Sequence, residues 1–366
     1  MTATTQKEAE KLMLESPTVP NIRHWSKEYS LKPHLAGDLA HAEAIRDLWI
    51  SYVVKTELIR YDVLQNFPTE ASLKLHSASN NEEIGFEASL TEDKLEQDPT
   101  SSPSNGLPAF HGFSANGNVC APLIYANFGT LYDFQLLASK GVNIEGKIVI
   151  CKYGKVFRGL KVRAAQQFGA VGVIIYNDPQ EDGEMTIANG YKPYPEGQAR
   201  HPTSIQRGSV DAFSVAVGDP TTPGYASLPS EQTQLQNPEH AIPKIPSLPI
   251  SYADATPFLE ALNGCGLSPE EVGGEEGEWK GCIAGVEYQT GPSVAKVSLN
   301  NQGDYRISPI YNVIGTIDGE TDEMVMLGNH HDSWYVALCQ YLCYNTTNCQ
   351  KIMQRSKCSL IFTSMS

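Results

Sequence analysis

A chain of 366 residues is too long for one ordinary domain, so two compact units are expected. Its 41% hydrophobic and 19% charged residues are those of a globular protein and exclude a disordered one. With 27 basic against 42 acidic side chains the formal charge is −15, which argues against a nucleic-acid partner because phosphate binding needs a basic face. An anionic small substrate stays open, since a few Arg or Lys dominate a pocket locally.

The first fifteen residues, Met1 to Glu15, are polar and lack the apolar core of a secretory signal. No run approaches the ~18–20 apolar residues that cross a bilayer, so no membrane span and no export address is expected, and the compartment is left unassigned. Residues 1–21 read as a polar lead and 22–113 as a first segment. Within it Asp38 caps a predicted helix through Ala42, Ile45, Leu48, Trp49 and Tyr52, whose spacing puts apolar groups on one face. Ile59, Tyr61 and Val63 alternate with Arg60 and Asp62 and predict a half-exposed strand. Leu90 to Leu107 is rich in Ser, Pro, Asp and Glu and predicts a solvated loop.

Residues 114–250 form a second segment. Lys147 to Cys151 is a short apolar run suited to a buried strand. Leu160, Ala164 and Phe168 recur at helical spacing, with Gly169 as the stop. Gly172 to Tyr176 is a second apolar run. Strand, helix and strand with short links predict a βαβ unit with parallel strands. Lys152, Lys155, Arg158, Lys161 and Arg163 cluster about the helix and read as a solvated basic face.

In residues 251–334, Asn312 to Ile317 and Glu323 to Leu327 read as two strands joined by a turn at Asp318 and Gly319, the second running into Gly328-Asn329-His330-His331-Asp332. Residues 335–366 form a cysteine-rich tail, and Asp332 is the last acidic residue of the chain. The tail cysteines, 339, 343, 349 and 358, are spaced C-x₃-C-x₅-C-x₈-C, a poor match to the tight pairs of zinc knots. Asn345-Thr346-Thr347 is a glycosylation sequon in the same tail.

A His and an Asp placed directly after an apolar strand are suited to a metal site, because the strand fixes the backbone while the imidazole reaches into a crevice. His330 and Asp332, two apart, share a face of an extended chain, so His330 is a candidate metal ligand and Asp332 the acid that orients it.

The stretch YNVIGTIDGETDEMVMLGNHHDSW (311–334) resembles the strand-and-ligand segment of the zinc exopeptidases of the glutamate carboxypeptidase and transferrin-receptor family, fungal members included. Further collinear stretches also resemble that family. They are LKPHLAGDLAHAEAIRDLW with RYDVLQNFP, then GKIVICKYGKVFRGLKVRAAQQFGAVGVIIYNDP, then PTSIQRGSVDAFSVAVGDPTTPGY with IPSLPISYADA. The second of these, beginning GKIVICKYG, is similar to the protease-associated (PA) domain inserted in the peptidase domain. The resemblance implies an α/β zinc exopeptidase domain interrupted by a PA domain over 114–250. It implies two zinc ions in complete members, with His330 a ligand and Asp332 its orienting catalytic acid, and a peptide substrate with an acidic C-terminus. It also implies a homodimer formed through a helical domain that this chain lacks. The Gln206-Arg207-Gly208 motif makes Arg207 the candidate for holding the substrate's terminal glutamate, since a guanidinium binds a carboxylate through two parallel hydrogen bonds. After Trp334 the family's Gly-rich Asp segment and Glu-Glu pair find no counterpart, so a truncated chain, inactive as it stands, is expected. A non-catalytic binding module of the transferrin-receptor kind and a truncated gene product without its own function are the alternatives.

Overall fold

The computed structural model describes residues 5–32, 34–52, 54–98, 101, 107–212, 217–229, 237–273, 279–319, 324–333 and 357–363. Along these the chain runs α1 (Gln6–Glu15), α2 (Val19–Ser30), α3 (Leu39–Ser51), β1 (Lys55–His76), β2 (Ile84–Glu87), β3 (His111–Gly112), β4 (Gly117–Tyr125), α4 (Leu131–Ser139), β5 (Ile148–Lys152), α5 (Arg158–Gln167), β6 (Gly172–Tyr176), β7 (Gly208–Ser209), β8 (Ser247–Ile250), α6 (Tyr252–Glu260), α7 (Pro269–Val272), β9 (Lys296–Ile317), β10 (Met324–His330) and β11 (Lys357–Thr363). The chain divides into two compact units, one of residues 1–62, 98–106 and 309–365, the other of residues 63–97 and 107–308. Among the described residues no helix is long and apolar enough to cross a membrane.

The second unit is built on the expected βαβ element. Strands β4, β5, β6 and β8 lie side by side and all parallel, with β9 antiparallel to β4 along Lys296 to Asn301. Every residue of β5, β6 and β8 is buried, which is why these strands read as unbroken apolar runs instead of alternating ones. Helix α5 covers the sheet with Val162, Ala164 and Ala165 and stops where Gly169 turns to a φ of +83°. The unit extends on both sides of 114–250, taking in β2 paired with the end of β1 and the first half of β9.

The basic face expected on α5 is corrected by the packing. Lys152 and Lys161 are wholly buried. Lys161 Nζ donates to the carbonyls of Phe128 (2.5 Å) and Gly154 (2.6 Å). Lys152 Nζ donates to the Lys280 carbonyl at 2.7 Å, sits 4.1 Å above the Phe128 ring and lies 3.7 Å from Glu181. Burial lowers the pKa of both amines, opposed at Lys152 chiefly by Asp178 and Glu181 and at Lys161 by Cys151, Asp133 and Glu181. Loop carbonyls turned inward need donors, and helical spacing alone carries no sign of them.

The loop after Leu90 is corrected as well. Its described residues lie in no strand, but Leu90 and Asp98 are buried, so it is not solvated throughout.

In the first unit Asp38 caps α3, accepting from the His41 amide at 3.1 Å, as expected. Ala42 and Ile45 pack on Val313, with Trp49, Leu58 and Tyr311 around them. A side chain at Gly315 would meet the Trp49 ring at 2.8 Å, so the strand stays bare where the indole lies on it. The two strands flanking Asp318 and Gly319 form, but they are not neighbours: β11 lies between them, parallel to β10 and antiparallel to β9. Trp334 and the tail as far as residue 356, with the cysteines at 339, 343 and 349 and the sequon, lie outside the described residues.

Replacing Lys161 by Met is expected to lower stability by about 2–4 kcal/mol, because two buried carbonyls lose their donor. Urea denaturation of the two proteins checks this, and an unchanged midpoint would show the carbonyls to be satisfied otherwise.

Candidate functional site

In the first unit β10 delivers His330 at its last position, and the chain leaves the strand through His331, Asp332 and Ser333. His330 Nδ1 lies 2.9 Å from the Asp332 carbonyl and 3.2 Å from Asp332 Oδ1. Both partners are acceptors, so Nδ1 carries the proton, and in the neutral ring Nε2 keeps its lone pair. The Asp332 side chain is 4% exposed and that of His330 44%, a buried acid behind a half-exposed imidazole. The hydrogen bond to Asp332 raises the His330 pKa, against burial, which lowers it. The ring and the carboxylate thus lie side by side, as the i, i+2 spacing on an extended chain allows.

The neighbours of this pair were not legible. Ser333 donates its amide to the His34 carbonyl at 2.6 Å, and His331 Nε2 lies 3.0 Å from the Tyr311 carbonyl. The His34 ring is stacked on His41 with centroids 3.9 Å apart, and His41 is 5.4 Å from His331. Burial, then the neighbouring His34 and His331, pull the His41 pKa down to about 4, against the pull of Asp38. The residues present fit one ligand position of a metal site with its carboxylate behind it. Among the described residues no group of three or more His, Cys, Asp or Glu side chains comes together to close a coordination sphere.

In the second unit β3 and β7 form a short parallel pair, Gly208 opposite His111 and Ser209 opposite Gly112. This pair holds the Gln206-Arg207-Gly208 segment. Gly208 has a φ of +146°, and the Arg158 guanidinium occupies the place its Cβ would take while Arg158 Nε donates to the Ser209 carbonyl at 3.0 Å. Tyr153 donates its hydroxyl to the Gln206 carbonyl at 2.6 Å. With that proton committed, the 2.9 Å contact between Tyr153 and His111 Nε2 requires His111 to donate, and Ser247 then donates to His111 Nδ1 across 3.0 Å. Burial, with Arg158 nearby, keeps the His111 pKa well below the ordinary value, so this relay is neutral. Asn177 fixes the Gln206 side chain at 2.8 Å.

The relay presents Arg207, whose side chain is 2% exposed. Its Nε donates to the Pro108 carbonyl (3.1 Å), Nη2 to the Leu107 carbonyl (2.9 Å), and Nη1 and Nη2 grip the two oxygens of Glu92 at 2.5 and 2.9 Å. The guanidinium is thus a carboxylate site that already holds a carboxylate. Glu92, His111 and Tyr153 were missed by sequence reasoning. A carboxylate in an otherwise polar loop gives no sign of a partner 115 positions away.

Residues 114–213 match the family model described as the PA domain. Over 330 residues the chain is 42% identical to a protein of Arthroderma benhamiae named "Probable glutamate carboxypeptidase", a match spanning 89% of this chain and 44% of that one. The chain belongs to the glutamate carboxypeptidase family. A second relative, an aminopeptidase (NAALADL1) of Rattus norvegicus, is 33% identical over 86% of this chain and 42% of its own length. The chain thus spans less than half the length of these relatives. A solved zinc aminopeptidase from Bacillus subtilis is similar with a TM-score of 0.42 at 15% identity, over 94% of this chain and 59% of that one. As a member of the family, the chain has the expected fold class, an α/β exopeptidase domain with an inserted PA domain.

Because the folded chain keeps His41 neutral down to about 4 while the unfolded chain protonates it below 6.5, stability is expected to fall as pH drops through that window and to show no further loss from this group below it. Unfolding midpoints between pH 7 and 4 check this. The fall should be smaller in His41→Phe, and an identical fall in both proteins would remove His41 as its source.

Proposed function

We propose that this chain carries the substrate-carboxylate site and the first metal ligand of a zinc-dependent carboxypeptidase that releases C-terminal glutamate, or a similar acidic residue, from peptides. The observation that carries the reading is the two-pronged grip of Arg207 on Glu92, which supports a carboxylate-binding role for the Gln206-Arg207-Gly208 segment. Arg207 would anchor the substrate's terminal glutamate. His330 Nε2 would be one zinc ligand, and Asp332 would orient its ring and raise its basicity. Zinc would act there as a Lewis acid. The remaining ligands would come from outside the described residues.

Joining the chain after residue 334 to the C-terminal part of the Arthroderma relative tests the reading. The fusion is expected to release glutamate from an N-acylated dipeptide ending in Glu. Removing one partner of a desolvated charge pair costs about 2–5 kcal/mol, so Arg207→Ala should lower kcat/KM by roughly 30- to 5,000-fold. Arg207→Lys should recover only part of this, because an ammonium lacks the fork. The loss should be much smaller for a substrate whose terminal carboxyl is amidated. Equal losses for both substrates, or none, would reduce Arg207 to a residue of the fold.

A further inference from the structure

We propose that Glu92 is a built-in competitor of the Arg207 site: its carboxylate occupies the guanidinium in place of a ligand's carboxylate and must rotate out before an acidic peptide end binds. This rests on reading Arg207 as a substrate-carboxylate site.

Orientation and neutralisation of Arg207 are divided between different partners. The Pro108 and Leu107 carbonyls fix the plane of the guanidinium through Nε and Nη2, and these bonds do not involve Glu92. Glu92 supplies the counter-charge. Its departure would leave the fork aimed and in need of an anion, the condition in which a ligand carboxylate is bound most strongly.

Glu92 is also held differently from the structural carboxylates of the same unit. Asp178 accepts from the Gln180 and Cys282 amides and from the Tyr176 and Tyr288 hydroxyls. Asp254 accepts from the Ser89 amide and hydroxyl and from the Leu90 amide. Among the described residues Glu92 is held by Arg207 alone. Its side chain is 14% exposed against 2% for its partner, so the acid lies on the solvent side of the pair. The backbone is pinned on either side of it. Leu90 accepts from the Ala109 amide at 2.9 Å, and the Asp93 amide donates to Thr203 Oγ1 at 3.0 Å. Rotation of the Glu92 side chain therefore opens the site without unfastening the loop.

Two consequences follow. Only the fraction of molecules with Glu92 rotated out binds ligand, so the apparent affinity is reduced by that fraction. A ligand without a free carboxylate is a poor substitute for Glu92, because the buried guanidinium would lose that carboxylate and gain none in return. The resident acid is thus a filter for acidic ends as well as a restraint on affinity.

Calorimetric titration of the full chain with an N-acetylated dipeptide ending in glutamate, and with its C-terminally amidated form, tests the proposal. Glu92→Gln should bind the free acid about tenfold or more tighter than the unaltered chain. The amide should bind no better, and Arg207→Ala in the same chain should abolish the gain. Equal or weaker binding of the free acid by a folded Glu92→Gln chain would overturn the proposal and leave the Arg207 reading standing. A gain that survives Arg207→Ala would overturn both. Loss of the folded state in Glu92→Gln and Glu92→Asp alike would overturn it too, since a displaceable carboxylate cannot be indispensable to the fold.

Discussion

A guanidinium with 2% of its side chain exposed cannot stay in a protein without a counter-charge, and the PA-containing unit is arranged around meeting that need. The β3–β7 pair, the bare Gly208 under Arg158, and the neutral relay from Ser247 through His111 and Tyr153 to Gln206 all converge on the backbone that carries Arg207. The relay has one allowed proton arrangement. The outcome is a preorganised fork, which is worth more to a carboxylate than a flexible one because little is left to order on binding.

The two buried lysines show the same economy in a different form. Lys152 has Glu181 at 3.7 Å, but both amines make their shortest bonds to backbone carbonyls. They satisfy carbonyls of the turns that follow β4 and β5 and of the segment at Lys280. Buried donors of this kind tie loops to the sheet beneath them, and these loops flank the strand ends from which Tyr153 projects.

Much of the fold was legible because its signals are local. β5 and β6 are buried on both faces and read as unbroken apolar runs, α5 as a spaced stripe, and α3 as a capped one. His330 and Asp332 were legible because an i, i+2 pair on an extended chain needs no knowledge of the rest. What stayed hidden is long-range. The insertion of β11 between β9 and β10, the stacking of His34 on His41, the burial of Lys161 and the seating of Glu92 on Arg207 depend on segments brought together by folding. Polar residues suffer most, since a charge that is buried and satisfied has the same one-letter code as one in water. The family resemblance reached Arg207 where local pattern did not, but it gave no notice of the acid already in its grip.

The coupling energy between Glu92 and Arg207 tests the central claim most directly. A double-mutant cycle with Glu92→Gln and Arg207→Met, read by urea unfolding of the full chain, isolates it. For a desolvated, two-pronged pair the coupling should be about 2 kcal/mol or more, well above the roughly 0–1 kcal/mol of a surface ion pair. A coupling near zero would mean that the two side chains do not share a desolvated site, and the account of Arg207 as a preformed carboxylate site would be contradicted.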